Sequence, residues 1–115
     1  MDEEARWWLC SHLMEMSSIG GTVQTDTVLL EEIHAAGARI AVPGAVPDGA
    51  LVILKSGGME ISCQVRECEL HETGFRLDLK FMKGFVWTPT LWRPDHLYQP
   101  KKAALVKTKK AAGLN

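Results

Sequence analysis

The sequence predicts an all-β chain, a small antiparallel barrel or sandwich. Three observations carry that reading. Apolar residues alternate with polar ones in several short stretches, as in Phe75, Leu77, Leu79 and Phe81, the period of a half-buried strand. Gly and Pro clusters punctuate the chain at Pro43-Gly44, Pro47-Asp48-Gly49, Ser56-Gly57-Gly58 and His71-Glu72-Thr73-Gly74, which is turn chemistry. No stretch between residues 22 and 81 carries a convincing helical stripe.

The elements follow in order. Residues 5–16 are ambiguous. Ala5, Trp8, Leu9, His12, Leu13 and Met16 fit a helical face, and Leu9–Met16 equally suits a first strand. Ser17, Ser18, Gly20 and Gly21 then mark a turn. Thr22–Leu30 is rich in β-branched residues and suits a strand. Ala38, Ile40 and Val42 alternate with Arg39 and Ala41. Leu51–Leu54 reads as a buried strand that ends in a hairpin signal. Ile61, Cys63 and Val65 face one way along the next strand, and Phe75–Phe81 supplies the last. Residues 84–100 hold Trp87, Trp92 and Tyr98 among three prolines, a density that forbids a regular helix. This segment reads as an extended arm strapped to the barrel by its aromatics.

A chain of 115 residues supports one domain. With 46% apolar and 23% charged residues it is neither collagen-like nor wholly disordered. Its apolar runs are too short to span a bilayer, and the acids after Met1 have the wrong sign for an export signal. The expectation is a soluble cytoplasmic protein. The net charge of −1 hides an asymmetry. Residues 93–115 hold six basic residues against Asp95 alone, so this stretch is near +5 and the rest near −6. An acidic body argues against nucleic acid as a partner. The basic tail reads as solvated, or as a contact for an anionic partner.

Three cysteines cannot all pair within one chain, and free thiols are expected. Cys63, Cys68 and His71 invite a zinc reading, with Cys10 or His12 as a remote fourth ligand. Cys63, however, shares the inward side with Ile61 and Val65, and a packed thiol is the preferred account. No metal or other cofactor is expected. No P-loop, H-E-x-x-H, G-x-S-x-G or G-x-G-x-x-G motif is present, and the four histidines are scattered. The chain reads as a non-enzyme.

One longer pattern is more specific. Leu30–Ile40 contains the string Gly37-Ala38-Arg39-Ile40. It is followed by Pro47-Asp48-Gly49, then Val65-Arg66-Glu67-Cys68, then Gly74–Phe81. This order resembles a PilZ domain over residues 9–98, with 1–8 as a lead-in and 99–115 as a basic tail. The resemblance implies a six-stranded antiparallel β-barrel with an extended aromatic and proline-rich C-terminal arm. It also implies a ligand, cyclic di-GMP, a dianionic bacterial second messenger. That family reads the ligand with an Arg-x-x-x-Arg pair before the first strand and an Asp/Asn-x-Ser-x-x-Gly turn. Guanidinium forks suit phosphate oxygens and guanine edges, and the final Gly allows a tight or left-handed backbone path.

This sequence departs from the pattern. Glu3 and Trp7 occupy the two arginine positions, with only Arg6 nearby. Glu32 stands for Asp/Asn and His34 for Ser, and Gly37 alone matches. Losing two bidentate contacts costs roughly 2–6 kcal/mol, or about 10- to 10⁴-fold in affinity. Asp2, Glu3, Glu4, Glu31 and Glu32 would also crowd carboxylates around a dianion. The expectation is therefore a PilZ-like signalling or adaptor module that binds another protein. Trp7, Trp8, Trp87 and Trp92 are its candidate contacts, unless they cap the barrel ends. The alternative is a cyclic di-GMP receptor with a rearranged site built from Arg6, Glu32, His34, Gly37 and Arg39. A generic barrel whose likeness is accidental is a third reading. Oligomeric state is not legible.

Overall fold

Period-two burial organises the molecule. The computed structural model describes residues 6–19 and 25–100. Six strands form there: β1 Trp8–Ser18, β2 Thr25–His34, β3 Gly37–Val42, β4 Leu51–Ser56, β5 Met59–His71 and β6 Gly74–Phe81. All paired neighbours are antiparallel, and the ring β1-β2-β3-β6-β5-β4 closes into a barrel. Inward residues such as Met14, Met16, Val28, Leu30, Ile40, Val52, Leu54, Ile61, Cys63, Val65, Leu77 and Leu79 fill it. Among the described residues no helix is long and apolar enough to cross a membrane.

The ambiguous opening segment is strand, not helix. Its helical appearance has a local cause. Trp8, Cys10, Met14 and Met16 keep one inward parity along β1, and the helical appearance comes from the apolar residues Leu9 and Leu13 on the alternate positions, Leu13 being 66% exposed. β2 begins at Thr25 and runs on to His34. Glu32 and His34, expected in a turn, therefore lie in a strand. A slip between Leu30 and Glu32 hides this in the sequence. It lets Leu30 and Ile33 both point inward although three residues apart. Only Ala35-Ala36 turn the chain into β3. Leu51–Leu54 is buried only at alternate positions. Val52 and Leu54 enter the core, whereas Leu51 is 37% exposed. The earlier expectations for residues 1–5, for Gly20 to Gln24 and for the tail from Lys101 onward fall outside the described residues.

Gly37 matters for a different reason from the one its motif suggests. Its φ is not positive. A side chain there would run into the backbone carbonyl of Leu79 on β6. Glycine is needed for close strand approach, not for a left-handed turn.

The arm over residues 82–100 closes one barrel end. Trp87 is only 2% exposed. Its backbone N–H donates to the Ala35 carbonyl at 3.0 Å, and its indole N–H donates to the Trp92 carbonyl at 2.8 Å. Trp8 meets Trp87 edge to face at 6.0 Å. Leu9 and Tyr98 exchange backbone bonds of 2.8 and 2.9 Å, so the arm adds a short bridge beside β1. The aromatic residues of the arm do strap it down.

Candidate functional site

The outer surface of β2, β3, β6 and β5 gathers the charged residues. The slip in β2 puts Glu32 opposite Arg39, and Arg39 stands opposite Asp78, which stands opposite Glu67. Outward positions of β6 are Arg76, Asp78 and Lys80, because Leu77, Leu79 and Phe81 point in.

Glu32 is the hub. Arg39 Nη1 donates to its Oε1 at 2.9 Å, and Arg76 Nη2 donates to its Oε2 at 2.6 Å. Its side chain is 18% exposed, so both charge-assisted bonds lie partly out of water. Glu31 adds an ion pair of 3.6 Å to Arg76 Nε. That nitrogen is buried and makes no hydrogen bond among the described residues. The two glutamates also act on the thiol of Cys10. Burial, then the charges of Glu32 and Glu31, push it up to about 12.

Trp7 covers the other side of Arg39. The guanidinium carbon lies 4.1 Å from the indole centroid, a cation–π contact. His34 meets the same indole edge to face at 4.1 Å, and its Nδ1 accepts the Ala36 backbone N–H at 3.1 Å. Beyond Arg39 a shallow cavity of about 140 Å³ is lined by Arg39, Glu67, Glu69, Arg76 and Asp78. Binding pockets for small molecules usually measure roughly 300–1,000 Å³.

The structure thus brings Trp7, Glu32, His34 and Arg39 together, with Gly37 in register with His34. Arg6 is exposed and has no described contact with this cluster. Of the five carboxylates expected to crowd here, Asp2, Glu3 and Glu4 lie outside the described residues, and Glu31 and Glu32 are ion-paired with Arg39 and Arg76. Sequence reasoning missed Arg76. The alternation of Phe75–Phe81 marks it as outward, but its reach over β3 to Glu32 is not visible in one dimension.

The remaining candidates separate. Trp8, Trp87 and Trp92 belong to the arm's attachment. Trp87 offers no surface to a partner, because the core and the arm enclose it. Trp92 is half-buried and meets His12 edge to face at 5.3 Å. Cys63 is fully buried, which pushes its thiol up to about 12. His71 is exposed at the far end of β5, so the two do not converge as metal ligands. Among the described residues no cluster of His, Cys, Asp or Glu has metal-binding geometry.

No protein-family model matches this chain, and no curated protein matches it in sequence.

Proposed function

We propose that this barrel is a PilZ-like, non-enzymatic adaptor that acts through protein–protein contact and does not take up cyclic di-GMP in the family's manner. One observation carries the reading. Arg39 and Arg76 share a single carboxylate, Glu32, at 2.9 and 2.6 Å. A phosphate that sought either fork would have to displace that carboxylate. It would also have to lift Trp7 from Arg39. Both losses count against ligand affinity.

The alternative, a receptor with a rearranged site, requires Arg39 to exchange Glu32 for phosphate, with Arg6 and His34 assisting. Neutral His34 accepts at Nδ1 and carries its proton on Nε2; a further proton would add a positive charge beside the phosphate, so binding would strengthen at lower pH. Calorimetric titration of the full chain with cyclic di-GMP at pH 6 and pH 8 separates the two. The adaptor reading expects no saturable heat at high micromolar ligand at either pH. A saturable isotherm that Arg39→Ala abolishes overturns it.

A further inference from the structure

The longest strand is covered by β4 for only about half its length. β5 runs from Met59 to His71. β4 covers it from Met59 to Gln64. Gly49 and Ala50 then bond to Val65 at 2.7 and 2.9 Å. Past that point the slip between Val65 and Glu67 turns the strand away. Arg66–His71 pairs with β6 on one side, and among the described residues no backbone bond reaches its other side. Alternate residues of this stretch therefore present N–H and C=O groups at an open sheet edge.

The side chains around the edge define what fits it. Glu67, Glu69 and His71 alternate along one face, with Asp78 directly opposite Glu67. Like charges placed opposite one another on a sheet repel. Arg39 stands opposite Asp78 and Arg76 opposite Glu69, but both guanidinium groups are bonded to Glu32. His71 lies 3.6 Å from Glu69, and Glu67 has no ion pair among the described residues. Leu70 projects between the glutamates toward the other face and is 77% exposed. A second copy of the same edge would bring more glutamates onto the acidic face, so self-pairing is disfavoured.

The geometry points to a strand-addition site at Arg66–His71 for an extended segment of a partner protein. That segment carries lysine or arginine at every second position and small apolar or β-branched residues between. Backbone bonds supply the pairing, the alternate cations meet Glu67, Glu69 and Asp78, and the intervening residues cover Leu70. This rests on the protein-binding reading above and gives it a location and a partner chemistry.

The test uses the full chain labelled with ¹⁵N and the capped peptide Thr-Lys-Val-Lys-Thr-Lys-Val. Amide shifts should concentrate at Arg66–His71. The double variant Glu67→Lys/Glu69→Lys should bind at least roughly tenfold more weakly, since it turns two attractions into repulsions. The peptide with Glu in place of each Lys should not bind. Equal binding of the acidic peptide overturns the site. So does slow hydrogen exchange at the outward amides of Arg66–His71 in the free protein, which would mean that the edge is already occupied. Shifts that map to the arm around Leu91 and Trp92 remove this site but leave a protein-binding module. Saturable cyclic di-GMP binding removes the functional reading itself.

Discussion

Arg76 reaches Glu32 across a strand that separates them. β3 lies between β2 and β6, and the residue in register with Arg76 on β3 is Ala41. Its methyl group leaves the long side chain a path over the sheet, and the bulge in β2 swings Glu32 toward it. The result ties three strands together through one carboxylate. Replacing Glu32 by Ala should therefore do more than remove a surface charge. It leaves two guanidinium groups, 35% and 29% exposed, without their acceptor. Hydrogen bonds to charged groups contribute about 1.5–3 kcal/mol, and partial exposure lowers this. A loss of about 1–3 kcal/mol in urea unfolding is expected. Arg39→Ala and Arg76→Ala should each cost less than Glu32→Ala, and a double-mutant cycle should give a coupling well above zero.

Gly37 offers a sharper structural test. A β-carbon there meets the Leu79 carbonyl, which belongs to a backbone already committed to the ladder. In a closed ring β3 cannot move away from β6 without disturbing its bonds to β2. Gly37→Ala should cost about 1–3 kcal/mol or more, as overpacking does. Gly44→Ala is the control, because nothing lies within 4 Å of the added carbon. It should change stability by less than about 0.5 kcal/mol. Equal midpoints for the two variants would contradict the close-approach account.

The thiols set a pH dependence. Cys63 is raised from 9.0 to about 12 by burial, and Cys10 to about 12 by burial and the two glutamates. Below pH 9 both thiols are protonated whether the chain is folded or not. Above it the unfolded thiols ionise and the folded ones do not, so the unfolded state binds fewer protons. Stability should fall as pH rises from about 9 toward 12, by at most about 1.4 kcal/mol per pH unit for each thiol. Cys10 is partly solvated and contributes less. Urea midpoints between pH 8 and 10.5, with reductant present, measure the slope, and Cys63→Ala should flatten it. At pH 8 alkylation should reach Cys63 far more slowly in the folded protein than in urea.

What was legible in the sequence was the parity of side chains. The alternation of Phe75, Leu77, Leu79 and Phe81 placed β6, and Ile61, Cys63 and Val65 placed the inward side of β5. What was hidden has two physical origins. In β1 the apolar residues Leu9 and Leu13 sit at the alternate, outward positions and made the strand look half helical. At Leu30–Glu32 a bulge broke the period of β2, so the strand that carries Glu32 and His34 was not visible. The candidate cluster was half legible for a related reason. Glu32, His34 and Arg39 are close in sequence across one tight turn, and they were found together. Arg76 is 44 residues from Glu32, and only barrel closure with β3 between them makes the two neighbours. Gly37 was singled out for a real constraint but for the wrong one, since its backbone is ordinary and the limit is the strand beside it.

His12 governs how the arm is held. Its Nδ1 accepts the Asp95 backbone N–H at 3.0 Å. A neutral ring that accepts there carries its proton on Nε2, which donates to Ser56 Oγ at 2.7 Å. The same ring packs against Trp92. One side chain on β1 thus links the β4–β5 hairpin to the arm. His12→Ala removes both bonds and the ring contact, and leaves the backbone bonds of Leu9 with Tyr98 and of Ser11 with Asp95 to hold the arm's end. A loss of about 1–3 kcal/mol is expected, with the effect local to the arm. Hydrogen exchange at Asp95 and Tyr98 should accelerate by more than tenfold, while the inward strands Val28–Leu30 and Leu77–Leu79 keep their protection relative to global stability. Ser56→Ala, which removes one of the two bonds and leaves the edge-to-face contact with Trp92, should produce a smaller change in the same amides. Unchanged exchange at Asp95 and Tyr98 in His12→Ala would mean that the backbone bonds of Leu9 and Ser11 to the arm, with Trp87 and Trp92, hold it without His12.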